Sequence, residues 1–136
     1  TIEFGEYVRS LANDLFRTYR GHAGGVQLKV QVDEVFLGLD QAVSCGLILN
    51  ELMTIAMKYA FPDRKSGTIW VELSAGHGRV VSLRVADDGI GIPPDFDVFN
   101  TKSLGLQLVN NLAKQLDAKI DLSISNGTSF LITFGY

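Results

Sequence analysis

Apolar residues in the first part of the chain recur at helical spacing. Phe4, Tyr7, Val8, Leu11, Leu15 and Phe16 share one face, which predicts a helix over 4–19. Gly21 and the pair Gly24-Gly25 close it. Val26, Leu28, Val30 and Val32 then alternate with Gln27, Lys29 and Gln31, the period of a half-buried strand. A second helix, rich in Leu, Met and Ala, is expected over 40–60 and stops at Phe61-Pro62. Strands follow at 68–75 and 79–86, joined by the tight turn Gly76-His77-Gly78. Residues 92–103 carry Pro93-Pro94 and no period, and a loop of that length is more often functional than incidental. A third helix is expected over 104–116. A hairpin of 119–125 and 128–134 then turns about Asn126-Gly127, the strongest short-range turn signal in the chain. The order α-β-α-β-β-α-β-β predicts a two-layer α/β sandwich, with helices on one face of a mixed sheet. Leu104, Leu106, Leu108, Val109, Phe130 and Phe134 are its expected core members.

Composition narrows the class. A chain of 136 residues fits one domain, and 46% hydrophobic with 20% charged residues is ordinary for a globular protein. A net charge of −3 and the lack of any Lys/Arg run give no support for nucleic-acid binding. Cys45 is the single cysteine, which excludes an internal disulfide and argues against a cysteine-rich zinc site. We read it as buried packing. His22 and His77 lie in glycine-rich turns and are expected at the surface. No apolar stretch approaches a membrane span and no signal peptide opens the chain, so the expected compartment is the cytoplasm, without membrane contact by this domain. A start at Thr1 rather than Met suggests a piece of something longer.

The candidate chemistry gathers around Asp87-Asp88-Gly89-Ile90-Gly91. A carboxylate at a strand end can accept a hydrogen bond from the exocyclic amine of a purine. Gly89 and Gly91, lacking Cβ atoms, let the backbone turn and a flat ring approach. An ordinary acidic-glycine loop would read the same way. On the second helix, Glu51, Ile55 and Tyr59 fall on one face, and Lys58 lies two turns from Glu51. Ile55 also reads as a plain core residue, and Lys58 as a solvated charge. Ser103 and Gly105 open the third helix, where free N–H groups favour a phosphate. Thr128 starts the last strand, its hydroxyl placed to support Asp87 or a water.

Segments 50–62, 87–93, 103–109 and 127–134 together resemble the N, G1, G2 and G3 boxes of a sensor histidine kinase ATP-binding domain. That is the Bergerat-type fold shared with the gyrase, heat-shock-ninety and mismatch-repair ATPases. The wording Asn-Glu-Leu-x-Thr, Lys-Tyr-Ala-Phe-Pro and Ser-Leu-Gly-Leu-Gln-Leu-Val is similar to the subfamily related to the HWE kinases. The opening helix with Glu6-Tyr7-Val8 fits it too, so the resemblance spans essentially the whole chain.

The resemblance implies roles for individual residues. Asp87 would bind the adenine amino group, with Gly89 and Gly91 shaping the pocket floor. Residues 93–103 would form a lid over ATP, mobile without nucleotide and ordered with it. Ser103, Gly105 and Leu106 would lie at the phosphates, Lys58 would pair with a phosphate oxygen, and Tyr59 would line the site. Thr128 would complete the nucleotide pocket. Glu51 matches the catalytic acidic position that organises Mg²⁺ and water. The pattern breaks at Ile55, which stands where the family has a Mg²⁺-coordinating asparagine. An aliphatic side chain offers no oxygen ligand, which leaves Glu51 and water to support the metal. The resemblance implies a single domain, 1–136, of a two-component kinase that uses ATP to phosphorylate a histidine on a separate helical domain, which then passes the group to a response regulator. The dimerisation and phosphoacceptor helices are not expected in this chain, so it should not phosphorylate itself. Two other readings stay open: a degenerate, non-catalytic regulatory module, and a serine kinase of the anti-sigma type.

Overall fold

The computed structural model describes residues 1–19, 25–61, 66–90 and 104–136. In chain order the elements are β1 (Ile2–Glu3), α1 (Phe4–Tyr19), β2 (Val26–Val32), β3 (Phe36–Leu37) and α2 (Leu39–Tyr59). They continue with β4 (Gly67–Ala75), β5 (Val80–Asp87), α3 (Leu104–Leu116), β6 (Lys119–Ser123) and β7 (Thr128–Gly135). The main sheet has five strands in the order β2-β4-β5-β7-β6. Its β2–β4 pair is parallel and the other pairs are antiparallel. The expected mixed α/β architecture is therefore the observed one.

Alternation along the strands decides which face the helices cover. Ile69, Val71 and Leu73 of β4, Val81, Leu83 and Val85 of β5, and Phe130, Ile132 and Phe134 of β7 are buried. Except for Ile69, they join Val8, Leu49, Leu52, Leu112 and Leu116 of the three helices in one cluster. The intervening positions carry polar cross-strand pairs. Arg84 donates to Glu72 at 2.9 Å and to Ser129 at 3.1 Å, and Ser82 meets Thr133 at 3.1 Å. Such pairs hold register on the uncovered face. Because α2 packs against both α1 and α3, it is the middle helix of the layer. Nearly apolar all round, it has Ile48, Leu49 and Met53 fully buried.

Several details depart from the sequence expectation. The two-residue strands β1 and β3 pair antiparallel, Ile2 with Leu37 and Glu3 with Phe36, and are too short to leave a periodic signal. Glu3 caps α1: its carboxylate accepts from Gly5 N–H at 2.8 Å and from Glu6 N–H at 3.3 Å, and reaches Val35 N–H at 3.2 Å. β5 runs one residue further than expected and includes Asp87. β6 ends at Ser123 rather than 125, and Ser123 pairs with Ser129. The Asn126-Gly127 hairpin is thus a longer loop than the two-residue turn those residues favour. Packing explains it: a Cβ on Gly127, at φ +130°, would overlap the carbonyl oxygen of Asp87. The glycine lies against β5 and fixes where β7 begins. Leu104 and Leu108, expected in the core, are 81% and 38% exposed, whereas Leu106 and Val109 are buried. Gly21, Gly24, His22, Pro62 and residues 91–103 lie outside the described residues.

The layering gives a direct test of α2. Leu49→Ala empties a fully buried position and should cost about 2–5 kcal/mol. Leu47→Ala, two residues away and 44% exposed, should cost less than about 1.5 kcal/mol. Urea titrations with unchanged slope measure both; equal losses would contradict the assigned faces.

Candidate functional site

β5 ends on Asp87, which pairs in register with Ile69 of β4 and Thr128 of β7. It follows Val81, Leu83 and Val85 on the helix-covered face, so its carboxylate sits at the rim of the core. Gly89 N–H donates to Asp87 Oδ1 at 2.9 Å. The backbone N–H of Thr128 is a second donor to the carboxylate. Burial pushes the Asp87 pKa above the ordinary carboxylate value; the two backbone donors oppose the rise and the neighbouring Asp88 charge adds to it. The sequence reading expected support from the Thr128 hydroxyl, whereas the recorded support comes from its main chain. Thr128 itself is buried.

Two further contacts lock the turn after Asp87. Asp88 exchanges bonds with Thr68: Thr68 N–H donates to Asp88 Oδ1 at 2.8 Å, and Asp88 N–H to the Thr68 carbonyl at 3.3 Å. Ile90 N–H donates to the Ala60 carbonyl at 2.9 Å, joining the turn to the end of α2. Gly89 lies so close to that carbonyl that a Cβ would overlap it. Gly89, expected from the resemblance to shape a pocket floor, is required here by the packing of the α2 end. Neither Ala60 nor Asp88 was singled out from the sequence.

Along α2, Glu51 and Ile55 are half-buried, while Lys58 and Tyr59 are exposed, Tyr59 by 64%. Ile55 packs against the main apolar cluster. At the start of α3, Gly105 is half-buried and Leu106 is buried in the core. Leu106 can therefore offer an anion only its backbone. Ser103, Gly91 and the expected lid, 93–103, lie outside the described residues. A recess of about 430 Å³, faced by Trp70, Arg84 and Ser129, opens on the other side of the sheet. Asp87, Asp88 and Thr128 also line it, so it reaches the end of β5 where the carboxylate stands. Cys45 is fully buried, its thiol pushed up to about 12 by desolvation, and His77 is exposed, both as expected.

The oxygen donors fit a magnesium ion poorly. Among the described residues no group of three His, Cys, Asp or Glu side chains converges. Asp87 and Asp88 are committed to backbone N–H groups. On the α2 face Glu51 stands with hydrocarbon one turn beyond it. Mg²⁺ demands near-octahedral oxygen ligation, and one carboxylate is a thin contribution to that shell.

Comparison with known proteins gives this geometry a family context. Residues 40–136 match the family model for the histidine kinase-, DNA gyrase B- and HSP90-like ATPases. The chain is 31% identical over 131 residues to blue-light-activated histidine kinase 2 of Erythrobacter litoralis, covering 96% of this chain and 37% of that protein. Sensor histidine kinase PdtaS of Mycobacterium tuberculosis is 31% identical over 88 residues, covering 63% of this chain and 17% of that protein. The chain thus spans well under half the length of either relative. The histidine kinase domain of the Erythrobacter litoralis EL346 blue-light-activated kinase superposes with a TM-score of 0.92 at 31% identity. That match covers 98% of this chain and 61% of that one.

The raised pKa of Asp87 has a consequence with a definite sign. A folded-state carboxyl pKa above the unfolded value means that the folded protein holds its proton more tightly. Its share of stability is therefore greatest below the ordinary carboxylate range and is lost as pH rises through the raised value. Asp87→Asn should remove that share, so stability should fall less, or rise more, across the acid range than in the parent. Thermal melts of both proteins from pH 3 to 7 measure the difference; parallel curves would show that burial of Asp87 carries no such linkage.

Proposed function

This chain belongs to the histidine kinase-, DNA gyrase B- and HSP90-like ATPase family, and from that premise we propose that residues 1–136 form the ATP-binding domain of a two-component sensor histidine kinase. The observation that carries the proposal is the carboxylate of Asp87, half-buried at a strand end and oriented by Gly89 and Thr128. A buried acceptor there is suited to the exocyclic amine of adenine. The ring would lie beside the end of α2, which the absence of a side chain on Gly89 lets close against the turn after β5. Tyr59 would line the entrance. Lys58, Ser103 and the backbone at Gly105 and Leu106 would meet the phosphates, the last two as a helix N-terminus.

In the parent protein the γ-phosphoryl group would pass to an imidazole nitrogen of a histidine on a separate helical domain. The phosphorus–oxygen bond to ADP breaks, a phosphorus–nitrogen bond forms, and the imidazole proton is released, with Glu51 placed to order the charged end. Such transfer depends mostly on positioning and charge stabilisation. A response regulator would accept the group next, and the cytoplasm is the proposed site of action. Magnesium usually accompanies the triphosphate in this chemistry, and among the described residues Glu51 is the carboxylate that would hold it.

The reading makes two measurable demands. ATP and ADP should bind the isolated chain in titration calorimetry. Asp87→Asn should weaken both, by roughly 1–3 kcal/mol for a buried hydrogen-bonding group left unmatched. Mixed with the helical acceptor domain of its parent, the chain should pass label from γ-labelled ATP to histidine, as an acid-labile, alkali-stable product. Nucleotide affinity that ignores Asp87 would remove that residue from the site, and alkali-labile phosphoserine would redirect the proposal to a serine kinase.

A further inference from the structure

The poor fit of the donor set to Mg²⁺ points beyond the family reading, while resting on its assignment of the nucleotide site. At the base end every observation favours tight, dry recognition: a half-buried carboxylate, two backbone donors that orient it, and a glycine closed against the end of α2. The phosphate end is built differently. Lys58 is exposed, so its charge is attenuated by water. Glu51 is half-buried, and Ile55, one turn nearer the helix end, packs against the core. A hydrated cation brought to this face meets one carboxylate, Glu51, and beside it a hydrocarbon surface that offers no further oxygen to replace the water it sheds.

We infer that adenine nucleotides are held here chiefly through the base, without a protein-bound magnesium ion, so that the metal adds little to affinity and ATP is barely preferred to ADP. Ile55 is the residue that sets this behaviour. An amide side chain at the same place would supply the missing oxygen ligand on the face that already carries Glu51. Magnesium then reaches the site only as a companion of the phosphates, and nucleotide occupancy follows the total adenine nucleotide pool more closely than the ATP to ADP ratio.

Titration of the chain with ATP and ADP, each with excess Mg²⁺ and with chelator, tests the inference. The expected result is four affinities within about tenfold of one another, a spread of about 1.4 kcal/mol. In Ile55→Asn, Mg²⁺ should tighten ATP by more than about tenfold, while chelated affinity stays near the parent value. Ile55→Val keeps the packing and adds no ligand; it should remain insensitive to the metal, and circular dichroism melts show that each variant is folded. Strong Mg²⁺ dependence in the parent chain overturns the inference and leaves the family reading intact. Failure of folded Ile55→Asn to gain metal dependence overturns the role given to Ile55. Absence of binding by the parent under every condition overturns the nucleotide-site reading itself, and the inference with it.

Discussion

The bond from Ile90 N–H to the Ala60 carbonyl is the constraint around which the site is built. The last carbonyls of any helix lack intrahelical partners, and here one of them is satisfied by the turn that leaves β5. That single link brings the end of the middle helix against the end of a central strand. It also places Gly89 where a side chain would overlap the helix end. The strand-end carboxylate and the outer face of α2 are thereby fixed relative to each other without any ligand. Because α2 is buried between α1 and α3 over the sheet, neither end of the link can drift independently.

Asp87 shows the cost of such a site. Burial opposes its charge, and the two backbone N–H groups offset part of that opposition while aiming the oxygens. A neutral residue there would avoid the desolvation altogether. The carboxylate is therefore better explained by what it can accept from a partner than by what it does for the free fold, a usual compromise between activity and stability.

Much of this was legible in the sequence because the elements are long and strongly patterned. Alternating Val and Leu in β2, β4 and β5 and the apolar faces of α1 and α2 gave the layers. The features that escaped are those decided by contacts far along the chain. The β1–β3 pair and the contact from Val35 N–H to Glu3 depend on residues some thirty positions apart. The loop about Asn126-Gly127 is set by Gly127 packing on Asp87, so local turn preference was overridden by a tertiary contact. Leu104 and Leu108 follow the periodicity of a buried face, yet stand exposed on the side of α3 turned from the core. At the site, the acidic-glycine pattern located Asp87 and Gly89. Ala60 stayed hidden because its contribution is a carbonyl, which no side-chain pattern reports.

Position 55 places the two demands on α2 in opposition. The helix must fill the layer between its neighbours, and its outer edge must also present polar groups to whatever binds beside Asp87. Glu51 and Lys58 meet the second demand from half-buried and exposed positions, whereas Ile55 lies where the core and the site compete for one side chain. A β-branched hydrocarbon there adds apolar burial to the helix and, in the proposed site, offers no oxygen to a metal at the phosphates. The base end does not share this conflict, since its acceptor comes from a strand terminus and its close approach from a glycine. On the proposed nucleotide-binding reading, adenine recognition and metal support rest on different elements, so one substitution at position 55 would reduce the second and leave the first intact.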